Sequence, residues 1–398
     1  MELKKVVIVS GVRTPIGALG GGLAPVLAQP LATHAIKAAL AQAHVDPTDV
    51  DYTVFGWVMQ DSRCPNIAKT AAEQAGVPPT SPGTTLHENC ASDGAAIHSI
   101  ARRLMLGEIS LGVAGGVESM SNVPRYLFAG RNKGQVLGDM TLVDGLFSAL
   151  TDTYVEDGVL MGLLTERIVE KYGLTREGQD EIALRSHQNA LAAWNDGMFA
   201  DYVVPVPVPQ RRGNPKIVDR DEGPKALSLE KLAAARPYFK KDGTITSLNA
   251  SSLNDAAAAL VLCTEDRAKE LGLTPIAELR AFHNVGVPRD YMGEGAFKVI
   301  PPLLARDGKS IDDIDFFEIN EAFAAVLGGA YKDIEGLKVD RCNLWGSGIS
   351  LGHPVGCTGA RQVVDMIHQL ARRDKEIGMT TRCVGGGIGS GEILLRRS

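Results

Sequence analysis

The chain opens with a β-branched apolar run, Lys4 to Ser10, that stops at Gly11. Leu31 to His44 then places its apolar residues at helical spacing, Tyr52 to Val58 is strand-like, and Ile67 to Ala75 is helical up to Gly76. Strands alternating with helices in this way predict βαβ units on a mainly parallel sheet. Ile97, Ile100, Ala101 and Leu104 stand at i, i+3, i+4 and i+7, so a helix follows Cys90. Leu160 to Tyr172 and Arg176 to Trp194 predict two more helices, with Thr175 as N-cap of the second. Phe316 to Ile319 reads as a strand and Arg361 to Arg372 as a helix.

Two segments recur in the same order. His44 to Asp51 precedes an early strand, and Gly308 to Asp315 precedes Phe316 to Ile319. Cys90-Ala91-Ser92-Asp93-Gly94-Ala95 opens a helix, then a strand, then Ala114 to Val117; Cys357-Thr358-Gly359-Ala360 opens a helix, then a strand, then Val384 to Ile388. A duplicated α/β domain accounts for both matches. The stretch between the halves, about Ser119 to Leu248, differs: it is helical, then basic and irregular through Arg211, Arg212, Lys216, Arg220, Lys225, Lys231, Lys240 and Lys241. It reads as an insertion over the core. Its charges suit either a solvated face or a clamp for a ligand with several phosphates.

Composition narrows the field. The 398 residues are 44% hydrophobic and 22% charged, as in soluble globular proteins, and suggest two or three domains at roughly 150 residues each. A formal net charge of -6 offers no overall basic field for nucleic acid. No apolar run approaches the ~20 residues that cross a bilayer, and Met1 to Lys5 leads into a first strand rather than a signal peptide. The six cysteines, Cys64, Cys90, Cys263, Cys342, Cys357 and Cys383, stand singly. That pattern argues against a disulfide framework or a metal site and for a reducing cytoplasm.

Four places carry candidate chemistry. Cys90 sits at or just before a helix N-terminus, where the dipole and free N–H groups favour a thiolate nucleophile; the same position also suits an inert buried cysteine. His353 lies in the glycine-dense Gly346 to Gly356, where backbone can approach a ligand and an imidazole can take a proton from a thiol. Cys383 ends a strand before Val384 to Gly391, which does not fit a dinucleotide fingerprint. Asn320-Glu321 follows Phe316 to Ile319 and can hold a water or polarise a carbonyl, or cap a helix. Gly348-Ile349-Ser350-Leu351-Gly352 also matches a hydrolase nucleophile elbow, but His368 is the only histidine after Ser350 that could complete it, and it falls inside a helix. His87-Glu88 does not extend to a zinc motif, since position 91 is alanine.

Together these elements resemble the thiolase family. The matching residues are Val12 to Gly17, Asn89-Cys90-Ala91-Ser92, Gly115 to Met120, Asn249-Ala250-Ser251 with Leu253-Asn254-Asp255, Asn320 to Phe323, Gly352-His353-Pro354 with Gly356, Gly359, Ala360 and Arg361, and Cys383 with its glycine run. The resemblance spans the chain in order. It implies an α/β fold of duplicated thiolase-fold domains with mixed sheets and an inserted α/β loop domain. The halves are 1–118, completed by about 249–268, and 269–398, with the CoA-covering insert at 119–248. It implies ping-pong cleavage of 3-oxoacyl-CoA by CoA, or the reverse condensation, with CoA as substrate and no cofactor or metal. Cys90 would attack the thioester carbonyl, His353 take its proton, and Cys383 move the proton at the α-carbon. Asn320, through a water, and His353 would form one oxyanion hole, and the backbone N–H groups of Cys90 and Gly385 the other. Ser251 and Met161 would contact CoA, with Arg220 and Lys231 of the basic stretch as candidates for its phosphates. A cytoplasmic homodimer or homotetramer, with no nucleic-acid or membrane partner, is expected.

The chain departs from the family pattern in three places. Asp93 follows Ser92 where glycine is usual, and a carboxylate there is expected to raise the thiol pKa unless it points away or is neutralised. Met292-Gly293-Glu294-Gly295-Ala296 lacks the usual proline, and Leu160 precedes Met161-Gly162 where short-chain biosynthetic members have histidine. Asp93 also motivates an alternative, a catalytically weak CoA-binding or scaffold subunit.

Overall fold

The structure is a computed structural model, and it describes residues 3–128 and 139–397; residues 129–138 of the expected insert lie outside them. The first half runs β1 (Val6–Arg13), α1 (Ala28–Ala43), β2 (Tyr52–Gly56), α2 (Ile67–Gln74), β3 (Gly83–Leu86), α3 (Ser92–Leu106) and β4 (Leu111–Ser119). Two helices of the intervening segment follow, α4 (Met161–Tyr172) and α5 (Arg176–Asn195). Then come β5 (Asn254–Thr264), β6 (Ala277–Gly286), α6 (Ile300–Asp307), β7 (Phe316–Ile319), α7 (Ala324–Asp333), α8 (Thr358–Arg372), β8 (Ile377–Val384) and β9 (Ile388–Arg396). Thr175 caps α5 by accepting the Gly178 N–H at 3.1 Å, as its position in the sequence predicts.

One sheet carries both halves, in the order β7-β8-β9-β6-β1-β5-β4-β2-β3. The duplication is visible in its pairings. In the first half β1/β5 and β5/β4 are antiparallel, whereas β4/β2 and β2/β3 are parallel. In the second, β6/β9 and β9/β8 are antiparallel, β8/β7 is parallel, and a parallel bridge from Phe317 to Cys342 takes the place of the last strand. The sheet is therefore mixed, not mainly parallel. Strand β5, distant in sequence from both its neighbours, inserts antiparallel between them. Its run Ala256 to Cys263 is buried throughout, which in sequence looks like a parallel strand covered on both faces.

The helices α3 and α8 occupy corresponding places in the two halves. Ile97, Ile100 and Leu104 of α3, and Val363, Val364 and Ile367 of α8, share one core with Ile8, Leu260, Leu262, Leu279 and Leu394 of the sheet. Burying each such side chain is worth about 1.5–3 kcal/mol, so the two helix N-termini are firmly seated. The turns before them carry Cys90 and His353. Cys357 occupies the N-cap of α8 as Ala91 does that of α3; it is wholly buried and lines neither cavity described below. Among the described residues no helix is long and apolar enough to cross a membrane.

Candidate active site

The turn from β3 into α3 holds Cys90. Asn89 before it has φ 45°, a left-handed conformation that asparagine tolerates better than most residues. Its Nδ2 donates to the Gly385 carbonyl at 2.6 Å, which ties this turn to the one between β8 and β9. The N–H groups of Gly385 and of Cys90 itself both face the Cys90 sulfur. Cys383 ends β8 close to Cys90, whose proximity, after burial, pushes the Cys383 thiol far above its ordinary value.

His353 reaches the same region from the loop before α8. Its N–H donates to Asn254 Oδ1 at 2.9 Å. Gly352 has φ 115°, and a Cβ there would stand 2.6 Å from the Asn254 side chain, so this position requires glycine. The imidazole Nδ1 lies 2.6 Å from Thr358 Oγ1, and that hydroxyl is 3.1 Å from the Pro354 carbonyl. A hydroxyl donating to Pro354 leaves its lone pair for Nδ1–H. This relay selects the tautomer with Nε2 unprotonated and able to accept a proton. Asn320 Nδ2 stands 3.4 Å from Nδ1, and Asn320 Oδ1 is buried without a partner among the described residues.

Two cavities meet here. One of about 510 Å³ is lined by His353, Ser251, Met161, Phe239, Phe323 and Leu146 among others. The second, about 300 Å³, contains Cys90, Asn89, Gly385 and Arg289. Met161, Leu150 and Val355 belong to both walls, and Val355, two residues beyond His353, is in the apolar cluster against which Cys90 packs. Thus the turns carrying Cys90, His353 and Cys383, far apart in sequence, converge.

The electrostatics revise one expectation. The helix dipole suggests a thiolate, but burial pushes Cys90 up to about 11, against the pull of the two N–H groups, with Asp93 and Glu118 adding to the rise. Although Cys90 is open toward the cavity, the protein around it removes more hydration than the dipole restores. Burial, aided by the Arg361 charge, pushes His353 down to about 3. Both shifts favour a neutral thiol and a neutral imidazole over an ion pair, so proton transfer would accompany attack by the sulfur.

Other sequence candidates fall into place differently. Glu321 does not join Asn320: its carboxylate accepts from Ser186 Oγ at 2.5 Å and Asn343 Nδ2 at 2.8 Å. Nor does Asn320 cap a helix, since Phe323 holds that position in α7. Ser350 is wholly buried and bonds Ser186 Oγ at 2.7 Å, while His368 stacks on Tyr202, so no hydrolase triad forms around Ser350. Arg220 lies over the Trp194 ring at 5.2 Å and Lys231 belongs to the short helix Leu229–Ala233; neither lines either cavity. Asp93 is fully buried. It accepts the Ala360 N–H at 2.6 Å, and its main charge partner is Arg382. Three residues named in sequence motifs had been given no role of their own. Asn254 and Thr358 hold the His353 loop, and Glu118, after Gly116-Val117 in β4, accepts N–H groups of Val58, Met59 and Gly356 at 3.0–3.2 Å. A carboxylate inside an otherwise apolar strand was the available signal for Glu118.

Residues 6–266 match the family description "Thiolase, N-terminal domain" and residues 273–396 "Thiolase, C-terminal domain". An acetyl-CoA acetyltransferase of Chromobacterium violaceum is 41% identical over 387 residues, covering 97% of this chain and 98% of that one. The crystal structure of the Bacillus anthracis acetyl-CoA acetyltransferase superposes with a TM-score of 0.96 at 42% identity, covering all of both chains. Human mitochondrial 3-ketoacyl-CoA thiolase in complex with CoA superposes with a TM-score of 0.94 at 33% identity, again over both whole chains.

Proposed function

The chain belongs to the thiolase family, whose members are acyltransferases, and on that premise we propose how its own residues carry a reversible ping-pong acyl transfer. In the cleavage direction the Cys90 sulfur attacks the 3-oxo carbonyl while its proton passes to His353 Nε2. The alkoxide collapses, the bond between C2 and C3 breaks, and Cys383 protonates the departing acetyl-CoA carbanion. The shortened acyl group stays on Cys90 as a thioester. A second CoA gives its proton to the Cys383 thiolate and takes the acyl group, while His353 returns its proton to the departing Cys90 sulfur and restores the thiol. Condensation is the same path reversed, and metabolite levels set the net direction.

The observation that carries this reading is the pair of N–H groups, from Cys90 and Gly385, directed at one sulfur with a second thiol beside it. Donors fixed in advance on a developing oxyanion stabilise it without reorganisation, and losing one such donor costs about 10²–10³ in rate. The unpartnered Oδ1 of Asn320 supports a bound water beside His353 as the other oxyanion donor. Ser251 and Met161, in the wall of the larger cavity, are assigned to the pantetheine arm, and Arg220 and Lys231 to the phosphates. CoA serves as substrate, and no cofactor takes part. The working unit is a cytoplasmic homodimer or homotetramer, with halves at 1–118 plus 249–268 and at 269–398 around the insert. CoA-dependent cleavage measured over a panel of 3-oxoacyl-CoA chain lengths tests the reading. It expects acetyl-CoA as one product; no CoA-dependent cleavage of any member contradicts it.

A further inference from the structure

The cavity containing Cys90 has a mixed wall. Val58, Met59 and Val355, which share an apolar cluster with Cys90, and Leu150 line it together with Thr151, Asp152 and Arg289. The larger cavity is more uniformly apolar, with Leu146, Phe147, Leu160, Phe239 and Phe323. A guanidinium in the wall of an acyl pocket has no use for an alkyl tail.

Arg289 is held in a fixed pose. Its Nη1 donates to both oxygens of Asp152, at 3.2 and 3.1 Å, and its guanidinium lies 4.9 Å from the Tyr154 ring centroid. The Asp152 carboxylate is almost wholly buried and is itself oriented by the Tyr154 N–H at 3.0 Å. This places Nη1 over Gly386: a Cβ built there would stand 3.7 Å from it. Gly386 directly follows Gly385, whose N–H faces the Cys90 sulfur. Only Nη1 is engaged by Asp152; Nη2 and Nε have no hydrogen-bond partner among the described residues. Asp152 thus positions the group and leaves its remaining donors, in the planar fork that matches a carboxylate.

We propose that the cavity beyond Cys90 is a subsite for acyl groups ending in a carboxylate, with Arg289 as the specificity-determining residue, so that the enzyme prefers 3-oxoacyl-CoA esters of short dicarboxylic acids. This deepens the thiolase reading and rests on it. Apolar residues near the sulfur pack the methylene stem, and the free edge of Arg289 takes the terminal carboxylate.

The test compares kcat/KM for two six-carbon 3-oxoacyl-CoA substrates, one with a terminal methyl and one with a terminal carboxylate. The wild-type enzyme is expected to favour the carboxylate by about tenfold or more, the range of a charge-assisted pair. In Arg289→Met that ratio falls to one or below, and Arg289→Lys keeps part of it. Because the readout is a ratio, a general loss of activity in a variant affects both substrates and leaves the comparison intact. A wild-type ratio of one or less overturns the proposal, as does a ratio unchanged in Arg289→Met. Cleavage of the methyl substrate alone sinks the subsite but keeps the thiolase reading, whereas cleavage of neither sinks both.

Discussion

Asp93, in the first turn of α3, accepts the backbone N–H of Ala360 in the first turn of α8 at 2.6 Å. One carboxylate thus joins the helix that follows Cys90 to the helix that follows His353. Arg382, just before Cys383, lies between them: a side chain on either Gly94 or Gly359 would collide with its guanidinium. Arg382 pairs in turn with Glu392, which also bonds His98 at 2.8 Å. A guanidinium between two helix N-termini is opposed by both dipoles, and the carboxylates of Asp93 and Glu392 offset that.

Burial raises Asp93 to about 6 despite Arg382 and two N–H groups. The sign follows from linkage. A carboxyl whose folded pKa lies above its unfolded value adds stability below about pH 4 that is lost as pH rises through about 6. The stability of wild type relative to Asp93→Asn should therefore fall between about pH 4 and 6, measured by urea unfolding. Asp93→Asn should also lower kcat more than it raises KM, because the two helix starts lose their common anchor. A difference independent of pH would show that this carboxyl does not titrate there.

The neutral resting pair gives a second expectation. With Cys90 near 11 and His353 near 3, the rate of Cys90 alkylation by iodoacetamide should climb about tenfold per pH unit through the neutral and alkaline range. A preformed thiolate–imidazolium pair would instead give a plateau from about pH 5 upward.

Thr358 is expected to matter through His353 alone. Thr358→Val removes the partner of Nδ1 and with it the preference for an acceptor at Nε2. A fall in kcat of about ten- to a hundredfold, at or below the lower end of general-base effects, should follow with KM little changed. Thr358→Ser should recover most of the loss, which a packing defect would not.

Ser350 separates acyl transfer through sulfur from serine hydrolysis. Its hydroxyl serves a buried bond to Ser186, so Ser350→Ala should cost about 1 kcal/mol of stability and leave thiolysis within about twofold. Loss of turnover with normal unfolding would revive the elbow motif.

What could be read from the sequence was local or motif-borne. The i, i+3, i+4, i+7 apolar set of α3, the strand Phe316 to Ile319 and the Thr175 cap are consequences of neighbouring residues. The recurrence of Cys90 to Ala95 in Cys357 to Ala360 pointed to the duplication, which the repeated strand order displays. What escaped depends on partners far along the chain. The antiparallel setting of β5 needs strands more than a hundred residues away. Glu321 turns from Asn320 because Ser186, 135 positions earlier, receives it. The upward shift at Cys90 could not be read from the helix that follows, because desolvation is a property of the assembled surroundings.

The central claim is a covalent one: the acyl group passes through Cys90. Mass spectrometry of protein quenched during turnover and digested tests it most directly. The account predicts an acyl adduct on the peptide containing Cys90, discharged by added CoA and missing from Cys90→Ser. An adduct on Cys383 or Ser350 instead, or full turnover by Cys90→Ser, would contradict it.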